Sequence, residues 1–112
     1  MIVASVLKAS AAALALAFTL APAALARDAA AGREKAGPCA VCHGPQGLSI
    51  APDAPHLAGQ PALYLSTQLR AYRSGARRHE VMAVIAKPLS DDDIDNLAAW
   101  YASLRIAIQP AP

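Results

Sequence analysis

The sequence predicts an all-α fold, and three observations carry that expectation. Apolar residues recur at helical spacing in two stretches, after Pro61 and after Ser90. Glycines and prolines bound these stretches rather than interrupt them, and no run alternates apolar and polar residues as a strand would. With 112 residues the chain has room for one domain built around one core.

Residues 1–26 stand apart from that domain. A single charge, Lys8, precedes the apolar run Ala9 to Leu20, which breaks at Pro22 and ends in the small-x-small pattern Ala24-Leu25-Ala26. This is the grammar of a secretory signal peptide, with cleavage expected after Ala26. Lys8 and Pro22 leave the run short of the roughly 20 residues of a membrane span; an uncleaved anchor is the other reading. Most of the excess in the 55% apolar content lies in this segment. The remaining domain, residues 27–112, has a formal charge of +1. That balance argues against nucleic acid as a partner, because backbone binding requires a surplus of Lys and Arg. Membrane contact is expected only through a partner complex or an uncleaved signal.

Along the domain, Ala29 to Ala36 combines alanines with the polar face Arg33-Glu34-Lys35, and Gly37 and Pro38 close it as a first helix. Gly44 to Gln60 is rich in Gly, Pro and small residues and has no period, so it reads as a loop. Pro61 sits at a first-turn position. Leu63, Tyr64, Leu65, Gln68, Leu69 and Tyr72 follow at helical spacing until Gly75 ends the element. Ala76 to Pro88 is a second loop, basic at its start, with room for a short helical turn over Val81 to Ala86; it contains Met82, the domain's only methionine. Ser90 is a strong N-cap, and Asp91, Asp92 and Asp93 load the first turn of the last helix, where the dipole favours anions. They read as helix capping rather than as a metal site. Ile94, Leu97, Ala98, Tyr101 and Leu104 then form one apolar stripe.

The chemistry concentrates in Cys39-Ala40-Val41-Cys42-His43, which holds both cysteines of the chain. Cys-x-x-Cys-His is the attachment signature of c-type haem. Two thiols three positions apart on a turn of helix can each add to one vinyl group of a porphyrin edge, and the histidine that follows points its imidazole at the iron. Three other readings compete: a structural disulfide, a thioredoxin-like redox pair and half of a zinc site. A disulfide leaves His43 unexplained. A redox pair expects a βαβ context, and a zinc site needs further ligands at sensible spacing. A haem would also supply core that an 86-residue domain poor in aromatics lacks.

The order of helix, Cys-x-x-Cys-His-Gly, Pro-rich loop, helix, methionine segment and C-terminal helix resembles the class I c-type cytochromes, most of all their small bacterial periplasmic members. The residues that carry the resemblance are Cys39 to Gly44, Pro55 to Gln60, Tyr64-Leu65, Gln68-Leu69, Arg73-Ser74-Gly75, Met82, Leu89-Ser90-Asp91 and Leu97 to Tyr101. The resemblance implies three to four helices enclosing one covalent haem c, with the first and last helices crossing near Gly32. It also implies that Pro55 offers its carbonyl to His43. In one departure, Glu80-Val81 precedes Met82, where similar chains often carry a proline or a second methionine.

The expected iron ligands are therefore His43 and Met82, since His/Met is the usual cytochrome c pairing. His56 and His79 are the alternatives to Met82. His56 belongs to the loop on the His43 side, and His79 reaches the iron only if its loop rearranges. With both axial positions taken by protein, the iron changes only its charge, which is electron transfer between redox protein partners rather than catalysis. A dedicated haem subunit of a dehydrogenase or oxidase is the alternative, and a haem sensor or enzyme with an open sixth site the next. Arg70, Arg73, Arg77 and Arg78 read either as a solvated helix end or as a basic rim that steers acidic partners.

Overall fold

The computed structural model describes residues 27–112, so the signal expected over residues 1–26 lies outside the described residues. Five helices and no strand form among the described residues. Asp28 opens helix α1 (Ala29–Lys35): its carboxylate accepts the Ala30 and Ala31 amides at 2.9 and 3.2 Å. Helix α2 (Gly37–His43) follows with a single residue between them. Gly37 and Pro38, expected to end a helix, also begin one. A proline in the first turn lacks a donor that would have no partner there in any case.

Helix α3 (Ala62–Ser74) ends at Gly75, whose φ of 84° is the left-handed cap that a side chain would resist. Helix α4 (Glu80–Ala86) forms where the sequence leaves room for a short helical turn over Val81 to Ala86, begins one residue earlier, and carries Met82. Helix α5 (Asp91–Ser103) starts with a reciprocal cap: Ser90 Oγ accepts the Asp93 amide at 3.0 Å, and the Asp93 carboxylate accepts the Ser90 amide at 3.0 Å.

The helices pack as an arc. α2 leans on α1, α1 crosses α5, α5 packs on α3, and α3 carries α4. The core lies along the middle of that arc, in Ala36, Leu65, Leu97, Ala98 and Tyr101, with Cys39, Leu69 and Trp100 against it. Ile94 and Leu97 are the large side chains buried completely, each contributing about 1.5–3 kcal/mol. Polar ties reinforce the same interfaces. Arg70 meets Asp95 at 3.1 Å and Arg73 meets Asp91 at 2.6 Å between α3 and α5, while Lys35 meets Asp93 at 3.3 Å between α1 and α5. No described helix is long and apolar enough to cross a membrane.

Candidate haem site

Helix α2 places Cys39 and Cys42 three positions apart on one face, both half-buried and both free thiols. Burial pushes the Cys39 thiol above its ordinary range, and Tyr101 beside it offsets part of that rise. Burial likewise raises the Tyr101 hydroxyl. His43 closes the helix and is buried. Its Nδ1 lies 2.8 Å from the carbonyl oxygen of Pro55. A carbonyl can only accept, so Nδ1 carries the proton and Nε2 keeps its lone pair. That is the tautomer a metal requires, and the acceptor also holds the ring in orientation.

The loop from Gly44 to Gln60 owes its order to the protein's own hydrogen bonds. The Cys42 carbonyl accepts the Ile50 and Ala51 amides at 3.2 and 3.3 Å, and the Gly47 carbonyl accepts the Leu57 and Ala58 amides at 2.8 and 3.1 Å. The Tyr101 carbonyl of α5 accepts the Gly59 amide at 2.9 Å. Within this frame His56 is engaged, its Nδ1 accepting the Ser49 amide at 2.7 Å. The loop therefore delivers the Pro55 carbonyl to His43 and turns His56 to a structural task.

Met82 is half-buried at the third position of α4. His79, weighed as its competitor, is the N-cap of the same helix, and its Nδ1 accepts the Met82 amide at 3.3 Å. Nothing in residue spacing signals this, because histidine is not among the favoured N-caps. The arginines divide as well. Arg70 and Arg73 are taken up by Asp91 and Asp95, and Arg73 also donates to the Leu89 carbonyl at 2.9 Å. Arg77 lies 4.7 Å over the Tyr72 ring and donates to Gln68 at 2.7 Å. Arg78 makes no hydrogen bond or ion pair among the described residues.

A haem fits these residues. α2, with its two thiols and prepared imidazole, and α4, with its thioether, are the two ends of the packing arc. Large apolar side chains of α2, α3 and α4 stay outside the helical core, among them Val41, Leu63, Val81 and Val84. An apolar disc that carries iron suits exposed apolar side chains of this kind and this soft-and-imidazole donor set. Among the described residues no cluster of three or more His, Cys, Asp or Glu gathers as a metal site of another kind.

Thiol pair, tethered imidazole and helical frame together describe a protein that holds its haem covalently. The cytochrome c family model matches residues 29–105, and the chain belongs to that family. It is 47% identical over 81 residues to cytochrome c-554(548) of Halomonas halodenitrificans, covering 70% of this chain and 98% of that protein. It is 42% identical over 83 residues to cytochrome c4 of Pseudomonas aeruginosa, and 43% identical over 84 residues to a thiosulfate dehydrogenase electron acceptor of Thiomonas intermedia. The match covers 74% of this chain in both cases, but it spans 41% and 39% of those longer proteins. Among solved structures, reduced recombinant cytochrome c4 from Pseudomonas stutzeri superposes with a TM-score of 0.67 at 38% identity, covering 71% of this chain and 47% of that one. The chain is an electron carrier with covalent haem c, and Cys39 and Cys42 with His43 fit its attachment motif.

Proposed function

We propose that this chain is a diffusible periplasmic electron carrier whose iron is held between His43 and Met82. The hydrogen bond from His43 Nδ1 to the Pro55 carbonyl carries the reading, since it prepares Nε2 as a ligand. The haem, when bound, supplies a one-electron couple. Cys39 and Cys42 would anchor it to α2, His43 would hold the iron through Nε2, and Met82 would offer a thioether from α4. A thioether and apolar walls both disfavour the added positive charge of the oxidised iron, so the potential is raised. With His43 and Met82 both holding the iron, neither oxygen nor a substrate would have a position at the metal. The export grammar of residues 1–26 supports the compartment. The Thiomonas relative's name supports a dehydrogenase as the class of electron donor.

The test is Met82→Ala. The variant should keep its covalent haem, lose the weak far-red sulfur-to-iron absorption of the oxidised form, and bind carbon monoxide when reduced. The wild type should not bind it. Ready carbon monoxide binding by the reduced wild type, or an unchanged far-red absorption in the variant, would overturn the reading.

A further inference from the structure

Helix α4 has little of its own to stand on. It has seven residues, well below the length at which an isolated helix is stable in water, and Ala86 is its one buried side chain. Its main packing is on α3. Its first turn includes Met82, so the position of that side chain depends on whatever fixes the turn.

His79 fixes it from both ends of the residue. Its backbone is extended, with φ −160° and ψ 130°, which turns its carbonyl and its ring toward the helix. The carbonyl accepts the Ala83 amide at 2.9 Å, and ring Nδ1 accepts the amide of Met82 itself at 3.3 Å. The first is the opening bond of the helix itself, and the second satisfies one of the four donors that a helix leaves without partners at its start. The ring is in turn placed by α3. It stands edge-on to Tyr72, with centroids 6.4 Å apart and planes at 74°. Tyr72 is covered by the Arg77 guanidinium at 4.7 Å, and Arg77 is held by Gln68 at 2.7 Å. A serine or asparagine cap would satisfy the amide alone, whereas a histidine also reaches the α3 aromatic.

We propose that His79 is a positioning residue for Met82: by accepting the Met82 amide from a ring braced on Tyr72, it holds the methionine where its sulfur meets the iron. This rests on the reading of Met82 as the sixth ligand.

The experiment uses the haem-loaded protein and free imidazole as a competitor for the sixth position. His79→Ala should keep the far-red sulfur-to-iron absorption but let imidazole displace the sulfur at about fivefold lower concentration, the factor a typical N-cap is worth. His79→Asn restores a capping acceptor and should return the value to within about twofold of wild type. An unchanged imidazole midpoint in His79→Ala would overturn the proposal, even if its unfolding midpoint falls, because a purely structural role predicts that pattern. Failure of His79→Asn to restore the midpoint would overturn it too. Met82→Ala, run alongside, separates the two readings. If it keeps the far-red absorption, the ligand assignment fails. If it loses that absorption while His79→Ala behaves as wild type, only the role of His79 fails.

Discussion

Gly32 of α1 lies directly against Asn96 of α5: a β-carbon at residue 32 would overlap the Asn96 carbonyl oxygen and come within 2.9 Å of Trp100 Cβ. The Asn96 side chain also reaches back, accepting the Asp28 amide at 2.8 Å. The obstruction is backbone, so it cannot swing aside. Gly32→Ala should lower the free energy of unfolding by about 1–3 kcal/mol, the usual cost of overpacking. Denaturant titration of the haem-loaded variant checks this; wild-type stability would show that α1 can slide on α5.

Attachment is tested by extraction. Acid acetone should leave the haem on the wild-type protein and remove it from a Cys39→Ser, Cys42→Ser double variant, because only a thioether resists that solvent. Each single variant should retain haem through its remaining thiol.

Acid stability should depend on the α5 cap. Arg73 donates to Asp91, and the Ser90 amide donates to Asp93, so both carboxyls are held below the ordinary carboxylate range. A depressed folded value means stability that is present above the unfolded value and lost as pH falls through the folded one. Unfolding midpoints should therefore drop from about pH 4 downward. Asp91→Asn with Asp93→Asn should start lower and fall less steeply over that range; parallel curves would remove these two groups as the cause.

Of the four clustered arginines Arg78 is the one best placed to act at a distance, since Arg70, Arg73 and Arg77 have internal partners. Arg78→Glu should slow electron transfer with an acidic partner at low salt and leave the potential unchanged. The defect should shrink as the Debye length falls from roughly 30 Å at 0.01 M to 10 Å at 0.1 M. Equal rates at low salt would leave Arg78 without a steering role.

What the residues declare by themselves is what local chemistry settles. The Cys39 to His43 spacing, the Ser90 cap and the apolar stripe from Ile94 to Tyr101 were legible, because each depends on neighbours within one or two turns. The partnership of His43 with Pro55 was legible only through the resemblance, since a carbonyl leaves no mark in the sequence. Room for the short helical turn that carries Met82 was legible over Val81 to Ala86, but its start at Glu80 was not, because it is capped by His79, a residue type not expected to cap. The division of the arginines was hidden for another reason. Arg70 and Asp95 are 25 positions apart, and Arg73 and Asp91 are 18 apart, so their pairing follows from α3 lying on α5. No periodicity reports that.

The Gly32 crossing has a consequence for how the molecule comes into being. It joins the first helix to the last, and the Asp28–Asn96 bond there closes a separation of 68 residues. Contacts so distant along the chain are slow to find and late to form. During synthesis α2 emerges long before α5, so its two thiols are displayed on a chain that has not yet acquired the surface against which Cys39 is later packed. Until that surface arrives, Cys39 is as reachable as any thiol on an unfolded peptide.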